Sequence, residues 1–156
     1  MNREHDLAHL RKTIALSEQS RVRGNHPFAA LVTDGKGAVL AEAMNDTHAD
    51  CTSHAELLAV RLASSKFNPA QLRDATLYSS AEPCAMCAGA IYWSGIGRVV
   101  YALSEERLLQ LTGNHPENPT LSLPCREVFA RGQREIEVVG PMLEDEAAAP
   151  HKDFWR

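Results

Sequence analysis

The sequence lacks the features that would place the chain in a membrane or a secretory route. Its 156 residues contain no apolar run near the ~20 residues that a membrane-spanning helix requires. Residues 1–11 are polar and charged, so they do not resemble the apolar segment of a signal peptide. These absences predict a cytoplasmic protein. In that compartment the 4 cysteines suit metal or redox chemistry better than a disulfide framework.

The sequence also has little clustered positive charge. The formal net charge is −4, and the longest basic clusters are residues 21–23 and 131–134. Proteins that bind nucleic acid usually carry a basic stripe on their surface, because phosphate contacts supply most of the non-specific affinity. The charge therefore argues against a nucleic-acid partner. With no internal repeat or low-complexity segment, a single domain over 1–156 is expected, in which 141–156 form a C-terminal tail or helix.

Helical and strand-like patterns alternate along the chain. We expect Thr52 or Ser53 to cap the second helix and Pro83 to be the first residue of the third. Strands separated by helices of about ten residues indicate a layered α/β sheet. The predicted helices are 4–21, 53–65, 83–94, 104–111, 123–131 and 144–149, and the predicted strands are 28–33, 38–44, 75–80, 98–102 and 135–139.

Two short motifs carry residues suited to metal chemistry. His54 opens one predicted helix, and Cys84 and Cys87 lie at the start of the next. Helix N-termini stabilise thiolates, and one imidazole with two thiolates makes three good zinc ligands. The fourth tetrahedral position would be left for water, as in catalytic zinc sites. The sequence therefore predicts one Zn²⁺ per subunit.

Glu56 follows His54 by two residues, close enough to lie beside the metal without binding it. Hydrolytic deamination needs a group that takes a proton from water and delivers protons to the ring and the leaving amine. We therefore predict Glu56 as the catalytic residue.

Structural zinc is the main alternative. It would require a fourth ligand, and a lone Cys-x-x-Cys can also be two small core residues. The order of the motifs, Pro83 before the cysteines and the helical placement favour a catalytic site. Cys51 and Cys125 are expected to be small buried residues. The candidates for a fourth ligand are Cys125, Cys51, His48 and His26.

The combination His-x-Glu and Pro-Cys-x-x-Cys is the signature of zinc deaminases. Around it, the chain resembles the cytidine deaminase-like superfamily, in the branch of bacterial guanine deaminases and tRNA adenosine deaminases. The resemblance extends over about residues 5–110 and includes Pro27 to Val32, Asn45 and the stretch 81–101. It implies a three-layer α/β/α fold with a five-stranded mixed sheet, and a homodimer or higher oligomer with active sites near the interface. It also implies the roles given above to the zinc ligands and Glu56.

The same resemblance suggests substrate contacts. Asn45 would hydrogen-bond the ring beside the backbone of Ala55, and Phe28 would form an apolar wall. Trp93 belongs to an aromatic pair like that of the free-base guanine deaminases. Phe154 and Trp155 resemble the aromatic tail with which those enzymes close the pocket, sometimes in a domain-swapped dimer.

These features predict zinc-dependent hydrolytic deamination of a free aminated base, with a guanine-like purine favoured over another purine, a pyrimidine or a triazine. A tRNA adenosine deaminase is the first alternative, and a non-catalytic scaffold or sensor is the second. Guanine deaminases have a further acidic residue, and no clear equivalent is found here. The residues considered for this acid are Glu117, Glu144 and Asp145, and those for a local RNA-binding patch are Arg21, Arg23, Lys66, Arg73 and Arg98.

Overall fold

A computed structural model describes residues 2–156 as one five-stranded mixed sheet with helices packed on it. The strand order is β2-β1-β3-β4-β5. β1 pairs antiparallel with β2 and β3, whereas β3, β4 and β5 run parallel. The strands are β1 Ala29–Thr33, β2 Val39–Met44, β3 Thr76–Ala81, β4 Arg98–Leu103 and β5 Glu137–Val139.

Helices cover the sheet. α1 packs against β1, β3 and β4, while α2 packs against β1 and β2 and contacts α3. This arrangement confirms the predicted α/β fold with its mixed sheet. None of the helices within residues 2–156 combines the length and apolar character needed to span a bilayer. The helices are α1 Arg3–Val22, α2 Ala55–Ser64, α3 Ala85–Ser94, α4 Glu105–Thr112, α5 Cys125–Ala130 and α6 Glu144–Ala148, with 3-10 turns at Gln71–Asp74 and Ala149–His151.

Burial explains the sheet order. Every residue of β1 and β3 is buried, as expected for central strands, whereas in edge strand β2 only Ala41 is buried. Asp34 shapes the turn between β1 and β2, because its Oδ1 accepts from the backbone amides of Lys36 and Ala38 at 2.8 and 2.9 Å. Gly37 completes the turn with a φ of 89°, in the left-handed region that favours glycine.

Two predicted helix starts were wrong by one or two residues. His54, rather than Thr52 or Ser53, is the N-cap of α2, and Cys84 is the N-cap of α3, which begins two residues after Pro83. The backbone conformation explains both differences. His54 and Cys84 are extended, with ψ of 149° and 172°, so each helix begins at the residue that follows. Thr52 meanwhile donates its hydroxyl to Asp50 at 2.8 Å.

A buried ion pair ties α1 to the sheet. The two terminal guanidinium nitrogens of Arg98 donate to the carboxylate of Asp6 at 2.7 Å, and Tyr78 donates its hydroxyl to Asp6 at 2.8 Å. Asp6 is only 3% exposed. Burial by itself would raise the pKa of Asp6, but these hydrogen bonds outweigh it and bring the pKa below 3.8. The carboxylate is thus held in its charged form.

We expect Asp6→Asn to lower the free energy of unfolding by about 3 to 5 kcal/mol, because it removes the buried counter-ion of the half-buried Arg98 and leaves only the exposed carboxylate of Glu137. Urea denaturation at pH 7 measures this loss. Glu42→Gln is the matched control, since it breaks the exposed ion pair with Lys12 and should cost less than about 1 kcal/mol. Because the folded state has the lower pKa, the contribution of Asp6 is complete above pH 3.8 and declines as the pH falls through that lowered value. Equal losses in the two variants would contradict this assignment.

Candidate active site

The site forms where the N-termini of α2 and α3 meet. α2 follows the loop after β2, and α3 follows β3 directly, so the packing of the two helices brings their first residues together. His54 and Cys84 occupy the two N-cap positions, and Cys87 lies in the first turn of α3. Helix N-termini favour negative charge, so this junction suits two thiolates.

His54, Cys84 and Cys87 form a group whose ligand atoms all lie within 4.8 Å of one another. The Nδ1 atom of His54 lies 3.6 Å from the sulfur of Cys84 and 3.8 Å from that of Cys87. In a tetrahedral zinc centre, with zinc–sulfur distances of about 2.3 Å and zinc–nitrogen distances of about 2.0 Å, ligand atoms lie roughly 3.5 to 3.8 Å apart. The donor set and its spacing therefore fit zinc.

The candidate fourth ligands lie elsewhere. Among the described residues the group has three members, and none of the alternatives joins it. Cys51 is exposed, which corrects the expectation that it is buried, whereas Cys125 is buried as expected. The imidazole of His48 instead contacts the carbonyl of Gly24 at 3.0 Å. This three-ligand arrangement is typical of a catalytic zinc site rather than a structural one.

The two cysteines ionise unequally because they share a hydrogen bond. That bond lowers the pKa of Cys84 to about 4, against the opposing effect of burial. The same bond, together with burial, raises the pKa of Cys87. The hydrogen bond of His54 with Cys84 raises the pKa of the imidazole. The pair thus holds a thiolate ready for a cation, and a cation between the sulfurs would favour ionisation of both.

Glu56 is buried beside this group and is only 5% exposed. Its Oε1 accepts a hydrogen bond from the hydroxyl of Ser79 at 2.6 Å, and its Oε2 lies 3.6 Å from the sulfur of Cys87. Burial raises the pKa of Glu56, and the nearby charge of Cys84 adds to this effect, while the Ser79 hydrogen bond opposes it. A carboxyl group whose pKa is raised by burial is suited to gain as well as to lose a proton.

Asn45 lies at the rim of the same junction. Its Oδ1 accepts from the backbone amide of Ala55 at 2.9 Å, and its own backbone amide donates to the carbonyl of Phe28 at 3.1 Å. These bonds hold Asn45, Ala55 and Phe28 together. Since the oxygen of the side-chain amide is engaged, the NH₂ group is the part of Asn45 left to donate to a ligand.

The C-terminal residues fold back onto Phe28. The ring of Trp155 lies 6.1 Å from that of Phe28 and 4.9 Å from that of His26, centroid to centroid. The indole nitrogen of Trp155 donates to Nδ1 of buried His151 at 3.0 Å. Burial lowers the pKa of His151 to about 4, so the imidazole stays neutral and able to accept this bond.

Phe154 and Trp93 have different surroundings. The guanidinium of Arg21 lies 5.5 Å from the centre of the Phe154 ring, and Phe154 packs edge-on against Trp155. Trp93 points away from the chain and is 80% exposed, and its ring contacts Tyr92. In this chain, therefore, Trp155 approaches the Phe28 wall while Trp93 faces outward.

The three residues considered for a second acid also differ in their surroundings. Glu144 accepts from the backbone amide and hydroxyl of Ser104, at the start of α4. Asp145 pairs with Arg107 at 2.7 Å on the surface. Glu117 lies 3.8 Å from His26, which is a neighbour of Trp155. Of the three, Glu117 is the one whose carboxylate lies near the aromatic residues at the end of the chain.

Sequence reasoning missed Ser79 and His151. Ser79 lies in a buried strand with no motif of its own, and His151 is a single histidine near the end of the chain. The sequence offers one weak signal, a run of two serines that Ala81 separates from the Glu-Pro-Cys motif.

Comparison with known proteins agrees with this geometry. Residues 3–103 match the family model of the cytidine and deoxycytidylate deaminase zinc-binding region. The chain belongs to this deaminase family. It is 46% identical over 153 residues to a probable cytosine deaminase of Schizosaccharomyces pombe, covering 97% of this chain and 93% of that protein.

Solved structures of the family have the same fold. The guanine deaminase of Nitrosomonas europaea matches with a TM-score of 0.75 and 28% identity, covering 94% of this chain and 82% of that one. A mutant of the protein NE0047 in complex with 8-azaguanine matches with a TM-score of 0.79 and 28% identity, covering 96% and 83% of the two chains. The prediction of a zinc-dependent hydrolytic deaminase is thereby confirmed, in preference to a non-catalytic scaffold.

Removing one predicted ligand should remove the metal. We expect Cys84→Ser and His54→Ala to contain far less than one zinc per chain, because two remaining ligands bind the ion weakly. Elemental analysis of purified protein by mass spectrometry measures the ratio. Cys51→Ser is the matched control, since that thiol is exposed and outside the group. A Cys51 variant that loses zinc as Cys84→Ser does would contradict the ligand assignment.

Proposed function

We propose that this deaminase acts on a free aminated nucleobase, with a guanine-like purine as the favoured substrate, and releases ammonia. The observation that carries the proposal is the position of Trp155, which packs on Phe28 and lies 5.3 Å from the ring of His115. This aromatic wall stands next to Asn45 and Ala55, at the rim of the junction that holds the ligand set. A wall formed by the protein's own tail suits a small flat ring better than a nucleotide within a folded RNA.

The chemistry is divided among a few side chains. In the proposed site His54, Cys84 and Cys87 would hold zinc, which when bound would lower the pKa of a water molecule and so supply a nucleophile at neutral pH. Glu56 takes a proton from that water and delivers protons to the ring nitrogen and the departing amine. One carbon–oxygen bond forms, one carbon–nitrogen bond breaks, and water is consumed as ammonia leaves. Burial of Glu56 fits this role, because it favours the protonated form that the carboxylate must pass through.

Asn45 supports a ring that bears a carbonyl oxygen. With its Oδ1 bonded to the amide of Ala55, Asn45 offers a donor and therefore selects an acceptor on the substrate. Guanine and cytosine both present such an oxygen. Of these two bases we favour the purine, because a mutant of the similar protein NE0047 was solved in complex with 8-azaguanine.

Two of the five basic residues considered for an RNA-binding patch are engaged within the chain. Arg21 donates to the carbonyl oxygens of Pro150 and Lys152, and Arg98 is paired with Asp6 and Glu137. Since the net charge is also −4, the electrostatic support that RNA binding requires is weak. We therefore favour a free base over a tRNA as the substrate. The cytoplasmic location expected from the sequence stays a prediction.

Cytosine is the second candidate. The relative from Schizosaccharomyces pombe that is 46% identical over nearly the whole chain is a probable cytosine deaminase. A pyrimidine is smaller than a purine, so the same wall of Phe28 and Trp155 could enclose it with less contact. The two candidate substrates therefore differ in how completely their ring would fill the pocket.

The deciding experiment measures ammonia release by zinc-loaded protein from guanine, adenine, cytosine, isocytosine, ammeline, their nucleosides and a tRNA anticodon arm. We expect turnover of guanine or a close analogue. Glu56→Gln should keep zinc and fold but lose turnover by at least ~10²-fold, the scale of general acid–base catalysis. Release from the RNA alone would overturn the free-base proposal, and near-normal activity of Glu56→Gln would overturn the role of Glu56.

The aromatic tail gives a second test. We expect Trp155→Ala to lower kcat/KM by roughly 10-fold or more, a loss of about 1.4 kcal/mol in transition-state stabilisation, because the variant opens the wall against Phe28. Arg156→Ala is the matched control, since its ion pair with Asp153 is exposed. Steady-state kinetics and thermal melting are measured together. If Trp155→Ala lowers the melting temperature but leaves kcat/KM unchanged, the indole serves packing alone.

We further propose a homodimer in which α3 faces its copy. Met86 and Trp93 are exposed apolar side chains seven residues apart on this helix, so they share one face. We expect Trp93→Glu to convert a dimer into a monomer in sedimentation equilibrium, because it places a charge in an apolar contact. Val22→Glu is the control, since Val22 is equally exposed but lies at the end of α1. Persistence of the dimer in Trp93→Glu would place the interface elsewhere. Exchange of tails between subunits stays a prediction.

A further inference from the structure

The two oxygens of the Glu56 carboxylate have different neighbours. Oε1 accepts from the hydroxyl of Ser79 at 2.6 Å, whereas Oε2 faces the sulfur of Cys87 at 3.6 Å. One oxygen is therefore bonded to the sheet, and the other is directed toward the ligand group. A proton shuttle whose carboxylate could rotate freely would not keep this distinction.

Ser79 is well placed to enforce it. It lies in the central strand β3, in register with Ala30 of β1 and Tyr101 of β4, and it is fully buried. Its hydroxyl oxygen also lies 2.5 Å from the carbonyl oxygen of Ala81. Both neighbours are acceptors and the hydroxyl carries one proton, which goes to the carboxylate of Glu56 because a charged acceptor forms the stronger hydrogen bond. The Ser79 hydroxyl is thus confined between the strand and the carboxylate, with no exposed position to turn to.

We propose that Ser79 is a positioning residue that reserves Oε1 of Glu56, so that the proton is gained and lost at Oε2. Oε2 accepts the proton of the attacking water and passes it to the substrate, while Ser79 keeps its own proton throughout. This inference rests on the proposed role of Glu56 as the proton carrier. It adds a residue outside the zinc motifs and explains why a hydroxyl is buried under the active site.

The test compares Ser79→Ala with two further variants. Ser79→Thr retains the hydroxyl and should restore activity. Ser80→Ala is the matched control, because Ser80 is equally buried and adjacent in the strand, yet its hydroxyl accepts from the amide of Ala29 and makes no contact with Glu56. All variants are assayed on whichever base the unmodified enzyme converts, and zinc content is measured in each.

We expect Ser79→Ala to lower kcat by roughly 10- to 100-fold, the scale of a misplaced catalytic group, with KM and zinc content little changed. Ser80→Ala should keep its kcat even if it melts at a lower temperature. A Ser79→Ala enzyme with normal kcat would overturn the proposal. So would an equal fall in kcat for Ser80→Ala, or a Ser79→Thr enzyme as slow as Ser79→Ala.

Crystal structures of zinc-loaded enzyme supply a readout that does not depend on the substrate. In Ser79→Ala the carboxylate of Glu56 should rotate or become disordered, while His54, Cys84 and Cys87 stay in place. An unmoved carboxylate would overturn the proposal. If the unmodified enzyme converts no base in the panel, the proposed substrate is wrong, and the comparison of carboxylate positions still decides the role of Ser79.

Discussion

The active site depends on one packing arrangement, the meeting of the N-termini of α2 and α3. His54 and Cys84 are separated by α2, a 3-10 turn and β3, and they come together because α2 packs on the sheet and α3, which follows β3 directly, packs on α2. Their extended N-cap backbones direct the imidazole and the thiol across the gap. The helix N-termini also favour thiolates there. Fold, metal site and charge therefore have a common origin.

Glu56 gains its properties from the same junction. Because it lies in the first turn of α2, it is carried into the interior with His54 and becomes nearly inaccessible to water. An isolated buried carboxylate is costly, and the hydroxyl of Ser79 offsets part of that cost. The N-terminus of α2 thus supplies both a zinc ligand and the proposed proton carrier, and the neighbouring strand donates a hydrogen bond to that carrier.

The C-terminal residues connect specificity to stability. Arg21 on α1 donates to the backbone of Pro150 and Lys152, so the first helix of the chain holds its last turn. That turn places Trp155 against Phe28, which is bonded through its carbonyl to Asn45. The docking of the tail and the proposed substrate contacts are therefore linked through a short series of contacts.

The sequence alone determined the local chemistry of this protein. Residue type and spacing identified the zinc motifs and Glu56, and periodicity located most helices and strands to within two residues, because these depend on neighbours in the chain. Tertiary structure decided what distant residues do. It bonded Ser79 to Glu56, turned Trp93 outward and brought Trp155 to Phe28. Such contacts join residues far apart in sequence, and no local pattern encodes which of them the packed sheet and helices will bring together.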